Sequence, residues 1–365
     1  MSHRVLITGA AGYLGGMLCD VFSQRDDVEC IIGLDKNDMP EALRGMGKLR
    51  WIKANTADPS WQPIAAEHQP DVVIHAAWQI REMYGRRELQ WKWNVEGAEK
   101  VFDFAFATPS VTRLVHFSTV ASYAAEAGNS IEHRFKEEEG FRASDFLYAE
   151  EKRVVEQSLE QKFAQARGSN SPVTVAVLRP AALTGPRGRA RTGGLRLQNA
   201  LAGQQNASPV QRLVSLLVSI LPVTEKWSRQ FLHEDDIVDI AALMAFADLK
   251  APYAVFNACP PGDVMRSEDM ARVFGKRMLR IHPQLVRFAF FVLWHGTRGR
   301  IPASRGSWKA YSYPIAVDGS KLTETYGYRY RMDTLGAFTK NVGRYANSGS
   351  AQAAAVSALS GTSSA

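Results

Sequence analysis

Along the first half of the chain, short runs of apolar residues alternate with longer stretches of helical periodicity. Val5-Leu6-Ile7 reads as a buried strand that runs into Thr8-Gly9-Ala10-Ala11-Gly12-Tyr13-Leu14-Gly15-Gly16 and then a helical stretch to about Gln24. Cys30-Ile31-Ile32-Gly33-Leu34 forms a second strand ending in Asp35. Further strands are expected at Leu49 to Lys53, Asp71-Val72-Val73-Ile74-His75 and Arg113-Leu114-Val115-His116-Phe117, separated by helices near 59–67 and 88–107. Strands that alternate with helices predict an α/β fold built on a doubly wound parallel sheet. Later strands are expected at 173–178, 230–232 and 254–257, with a helix over 235–247.

A strand, a glycine-rich turn and a helix make a phosphate site. Gly9 permits the tight turn, Gly12 lets backbone approach a diphosphate, and Gly15 allows close helix packing, while the helix N-terminus offers N–H groups and a positive dipole end. Asp35 falls about twenty residues past the loop, where a carboxylate accepts both hydroxyls of an adenosine ribose. It favours NAD over NADP, because it repels a 2′-phosphate; the adjacent Lys36 works in the opposite direction. Strand ends carry Ala76-Ala77, small enough to leave room for a cofactor, and Ser118-Thr119, able to hydrogen-bond a substrate oxygen or merely cap a helix.

Tyr148 and Lys152 share a helix face, and an ammonium beside a phenol favours phenolate, moving its pKa toward neutrality, where proton exchange with an alcohol or ketone is effective. The spacing alone is common on solvated helices; the glycine loop, Asp35 and the strand-end hydroxyls give it meaning. His75, His116 and His233 lie at strand ends and read as packing or hydrogen-bonding residues, with no metal-ligand spacing. Asp236 and Asp239 read as capping or ion-pairing groups.

Over roughly residues 3–345 the chain resembles the extended short-chain dehydrogenase/reductase family, which includes NAD-dependent sugar-nucleotide epimerases, dehydratases and 3β-hydroxysteroid dehydrogenases. The matching stretches are the glycine loop, His75-Ala76-Ala77, Asn94-Val95-Glu96-Gly97, Phe117-Ser118-Thr119, Tyr148 to Lys152, Leu178-Arg179-Pro180, Gly185-Pro186 and Phe231-Leu232-His233-Glu234-Asp235-Asp236. The resemblance implies a Rossmann sheet with a smaller, mostly helical C-terminal substrate lobe, NAD as cofactor, and a homodimer paired through helices of the sheet face. It makes Tyr148 the general acid/base, Lys152 its support and the holder of the nicotinamide ribose, and Thr119, with Ser118 second, the group that orients the reacting oxygen. Asn94 would position the catalytic helix. Gly9, Gly12, Tyr13, Leu14, Gly15, Asp35, Asn55, Thr56, Ala76, Ala77 and Pro180 would contact the cofactor, although Asn55-Thr56 stands where relatives usually carry an Asp and an apolar residue.

Departures from the family pattern help to choose a reaction. Val120-Ala121 follow Thr119 where dehydratases carry an Asp-Glu pair, and neither can transfer a proton. Ala182 replaces an asparagine that contacts the nucleotide diphosphate in epimerases, whereas Arg229 matches an arginine that grips it. Leu213 to Leu221 and Leu285 to Trp294 are strongly apolar but too short to span a bilayer. They suit either helices packed on the sheet or a greasy lid and peripheral membrane contact, flanked by Arg212, Lys226, Arg280, Arg287, Arg298 and Arg300. Three readings stay open: a nucleotide-sugar epimerase, a dehydrogenase of a lipophilic alcohol, and a silent NAD-sensing protein.

In its 365 residues, 45% hydrophobic and 22% charged, the chain holds enough for one core and an appended lobe. Residues 1–180 are expected to build most of the NAD-binding domain, with later sheet elements near 229–258; 183–228 and 260–345 the lobe; and 347–365 a disordered tail. The basic segment over 187–196 reads as a loop beside the substrate mouth. Lys and Arg number 44 against 37 acidic residues, a net +7, but their scatter and the lack of a recognition motif argue against nucleic acid. Cys19, Cys30 and Cys259 lack metal or redox spacing, and a strand that starts within the first residues leaves no room for a signal peptide, so a cytoplasmic, at most membrane-associated, protein is expected.

Overall fold

A computed structural model describes residues 2–191 and 220–346. The central sheet is built from β1 (His3–Thr8), β2 (Val28–Asp35), β3 (Leu49–Lys53), β4 (Val72–His75), β5 (Arg113–Phe117), β6 (Thr174–Pro180) and β11 (Tyr253–Ala258). These seven strands are all parallel and lie in the order β11-β6-β5-β4-β1-β2-β3. Helices cover both faces, so central strands are apolar on both sides; Val72–His75 is buried at every position. Period-two alternation splits each strand between two cores. Val5, Ile7 and Ile74 face α1 (Tyr13–Ser23), whereas Leu6 and Val73 face α2 (Trp61–Glu67), α4 (Gly97–Ala107) and α5 (Leu147–Gly168).

The expected helix over 88–107 is divided in three. α3 (Arg87–Trp91) passes through a π-helical turn, Lys92–Glu96, into α4. The extra residue of that turn changes which side chains face inward, and Asn94 and Val95 are the two it buries. The expected strand over 230–232 forms as β10 (Phe231–His233), but it pairs with β7 (Ala182–Thr184) and does not join the main sheet. α6 (Pro186–Arg191) makes the first part of the expected basic loop a short helix; residues 192–196 lie outside the described residues. The apolar segment 213–219, Arg212 and the tail 347–365 also lie outside them.

β8 (Ile220–Val223), β9 (Ser228–Arg229), β12 (Met265–Arg266) and β13 (Arg277–Arg280) form two small two-stranded sheets beside α7 (Glu234–Phe246), α8 (Ser267–Phe274) and α9 (Pro283–Gly296). α7 packs on the sheet through Ile237, Ile240 and Met244, and its polar end is held by hydrogen bonds from Tyr328 and the Arg331 N–H to Asp236. Asp239 pairs with Arg331 and Arg344. His75 and His116 stack with ring centroids 5.4 Å apart; burial pushes His75 down to about 3 and His116 in the same direction, so both are neutral packing groups.

Candidate active site

The strand order reverses between β1 and β4, and there, beyond the C-terminal strand ends, lies a cleft of about 370 Å³. Gly9, Gly12, Tyr13, Leu14, Gly15, Asp35, Asn55, Thr56, Ala76, Ala77, Asn94, Ser118, Tyr148, Lys152 and Pro180 line it. Thr119 and Arg229 are not among the lining residues.

The loop Gly9 to Gly15 is tightly folded on itself. Gly9 has φ of 72°, and a Cβ there would sit 2.7 Å from the Ala77 backbone, so the strand end after β4 closes directly on the loop. Gly12 and Gly15 both crowd the Gly9 carbonyl oxygen: a Cβ on Gly12 would lie 2.8 Å from it, and one on Gly15 closer still. Packing within the loop therefore requires Gly12 in addition to any ligand approach. We expect Gly15→Ala to displace the loop and weaken NAD about tenfold to a hundredfold, measured by titration calorimetry. No side chain caps α1, which leaves its positive end turned to the cleft. The Tyr13 hydroxyl, in contrast, donates to Glu234, which also accepts from the backbone N–H groups of Arg187 and Gly188.

At the ribose end, Asp35 accepts from the Ala11 N–H through one oxygen and from the Asn37 N–H and amide through the other. These bonds aim the carboxylate while leaving lone pairs for ribose hydroxyls. The Lys36 ammonium lies 3.8 Å from the Trp93 ring centroid, and burial lowers its pKa. Asn55 turns its side-chain oxygen to the Ala57 N–H, and Thr56 packs against Gly97. Glycine loop, open helix end and fixed carboxylate fit an NAD molecule.

At the other end, the Thr119 hydroxyl accepts from the Ala121 N–H at 3.2 Å and is hydrogen-bonded to Tyr148, so it is both a cap and a neighbour of the phenol. Ser118 Oγ is buried with no hydrogen-bond partner among the described residues and lines the cleft itself. Lys152 is held by partners that the sequence does not reveal. Its Nζ donates to the Phe117 carbonyl and lies 3.5 Å from the Trp78 ring centroid. Burial pushes Tyr148 above its ordinary value, opposed only by the Thr119 bond, and brings Lys152 down to about 7. Glu151, next along α5, is pushed up to about 7 by burial and accepts from Asn94 at 2.7 Å. Asn94 also brackets Gln79, accepting from its N–H and donating to its carbonyl. Asn94 thus ties α5 to the loop that carries Trp78. No sequence pattern singles out Trp78, Trp93 or Glu151; the one available signal is an aromatic directly after Ala76-Ala77.

Residues 5–259 match the NAD-dependent epimerase/dehydratase family. The chain belongs to that family. Family membership carries dependence on NAD. An uncharacterized protein of Mycobacterium tuberculosis is 26% identical over 340 residues, covering 92% of this chain and 82% of that protein. The Bordetella bronchiseptica enzyme WbmG, in complex with NAD and UDP, shares the fold with a TM-score of 0.65 at 22% identity, over 92% of this chain and 93% of that one. A Thermus thermophilus UDP-glucose 4-epimerase complex with NAD superposes with a TM-score of 0.62 at 18% identity, over 93% of this chain and all (100%) of the other.

Proposed function

We propose that this family member interconverts epimers of a nucleotide-diphosphate sugar. Arg229 carries this reading. Its guanidinium donates to the Ser228 and Ala310 carbonyls, burial lowers its pKa to about 10, and among the described residues no carboxylate pairs with it. A largely enclosed cation held by neutral carbonyls favours an anionic ligand, and a diphosphate supplies the charge. The UDP bound by WbmG supports this choice. Arg229 and α9 both lie outside the cofactor cleft, and of the two Arg229 brings an enclosed charge, which favours the sugar-nucleotide reading over a lipophilic alcohol.

NAD, when bound, supplies a hydride acceptor. Asp35 would hold its adenosine ribose, and the α1 N-terminus its diphosphate. Tyr148 would take the proton of the sugar hydroxyl while Thr119 and Ser118 fix that oxygen, and would return the proton once the sugar has presented its other face. Since Lys152 sits near neutrality, its charge responds to small changes around it, and a neighbouring phenolate would favour its ammonium form. Val120-Ala121 provide no further acid or base for elimination.

The test is turnover of UDP-sugars followed by chromatography, with NADH absorbance read in parallel. Epimer exchange without net NADH is expected. Arg229→Ala should raise KM for the UDP-sugar about tenfold or more and weaken free UDP equally, with NAD affinity unchanged. Net NADH from alcohols and no sugar exchange would remove the epimerase reading.

A further inference from the structure

α9 presents apolar side chains outward along one side. Val286 and Trp294 are its buried residues, whereas Leu285, Phe288, Phe291 and Val292 are 60%, 67%, 62% and 49% exposed. Their spacing gathers them into one stripe. Such an area of exposed phenylalanine and leucine on one helix exceeds the scattered apolar residues of an ordinary surface.

Charge around the stripe is one-sided. From Met270 to Val317 the sequence contains no Asp or Glu, and Arg277, Arg280, Arg287, Arg298 and Arg300 all fall within the strand, helix and turn that carry the stripe. Arg280 meets Glu268 at 3.3 Å, an exposed pair on the edge of this region. Among the described residues no helix is long and apolar enough to cross a membrane. An apolar stripe framed by arginines, on a helix too short to span, is the composition of a helix that lies in an interface.

We infer that α9 lies flat on an anionic lipid bilayer, with Leu285, Phe288, Phe291 and Val292 in the acyl boundary and the flanking arginines among the headgroups. Self-association through this face would set arginines against arginines, with the Glu268 carboxylate at its edge already paired to Arg280. A nucleic acid would engage the arginines and leave the phenylalanines in water. The inner side of α9 reaches Tyr84, whose hydroxyl is 3.2 Å from His295 Nδ1 and whose ring centroid is 5.3 Å from that of Trp294. Tyr84 follows Trp78 and Ile80 of the cleft wall along the chain.

The experiment is flotation of the full chain with phosphatidylcholine vesicles, with and without phosphatidylglycerol. Binding is expected only with phosphatidylglycerol, falling as salt rises. Phe288→Asp with Phe291→Asp should abolish it, and each of Arg287→Gln, Arg298→Gln and Arg300→Gln should weaken it about fivefold. Unchanged thermal unfolding and NAD affinity would certify that the variants fold. If the parent fails to float, or if the folded double Asp variant floats as well as the parent, the inference is wrong. Conversion of an oligomer to monomers by the double variant, without vesicle binding by the parent, would assign the face to a second copy. Vesicle binding needs no sugar substrate, so its failure is separate from failure of the epimerase reading.

Discussion

Tyr148→Phe is expected to lower kcat about a thousandfold while leaving NAD affinity within about twofold. The phenol is the titratable group placed against Thr119 at the cleft end, and its ring also packs on Phe146 at 5.8 Å between centroids. Phenylalanine keeps that packing and removes only the hydroxyl, with its exchangeable proton and its bond to Thr119. Steady-state kinetics on a UDP-sugar, with calorimetric NAD binding alongside, separates chemistry from fit. Parental kcat in the Tyr148→Phe variant would show that the proton moves elsewhere. A loss of NAD affinity equal to the loss of rate would show that the hydroxyl serves binding.

Arg179→Ala is expected to destabilise the fold by about 3–5 kcal/mol, measured as a shift in denaturant midpoint at constant slope. Arg179, at the end of β6, gives its Nε to Glu156 of α5 at 2.9 Å, and the pair is almost wholly enclosed, with side chains 8% and 6% exposed. Its Nη1 donates to the Tyr123 hydroxyl at 2.6 Å and to the Glu137 carbonyl at 3.0 Å, and its guanidinium stacks 4.2 Å from the Phe141 ring centroid. Removing the cation leaves the Glu156 carboxylate uncompensated in the core. Arg179→Ala with Glu156→Gln should recover part of the loss, because the stranded charge goes too. A single variant that unfolds at the parental midpoint would show that the pair adds nothing net.

Local pattern suffices to read the strands. Leu49–Lys53 and Arg113–Phe117 form where their apolar runs indicate, because in a sheet covered on both faces burial follows composition. The glycine loop and Asp35 are equally legible, since backbone crowding and strand-end position belong to short segments. Features that rest on distant contacts are not. The π-helical turn at Lys92–Glu96 has no residue that marks it, and β10 pairs with β7 because tertiary position, not strand propensity, chooses the partner. Arg179 stands in a recognised stretch, yet its partner lies on another element; the available clue is Glu156 on the same apolar face as Val155 and Leu159. Lys152 is legible as a cation beside Tyr148, but no spacing rule reveals that Trp78 and the Phe117 carbonyl hold it.

The main sheet is completed out of order, since β11 pairs with β6 only after the chain has made the excursion from β7 through α7. During synthesis the cofactor cleft's residues, all before Thr184, emerge first, while the Thr174–Pro180 edge stays open until Tyr253–Ala258 arrives. A nascent chain stalled in that interval exposes an apolar, unpaired strand, a template for aggregation with its neighbours on other ribosomes. The half that lines the cleft is thus made early and protected late, which places this chain's hazard in biogenesis rather than in its finished form.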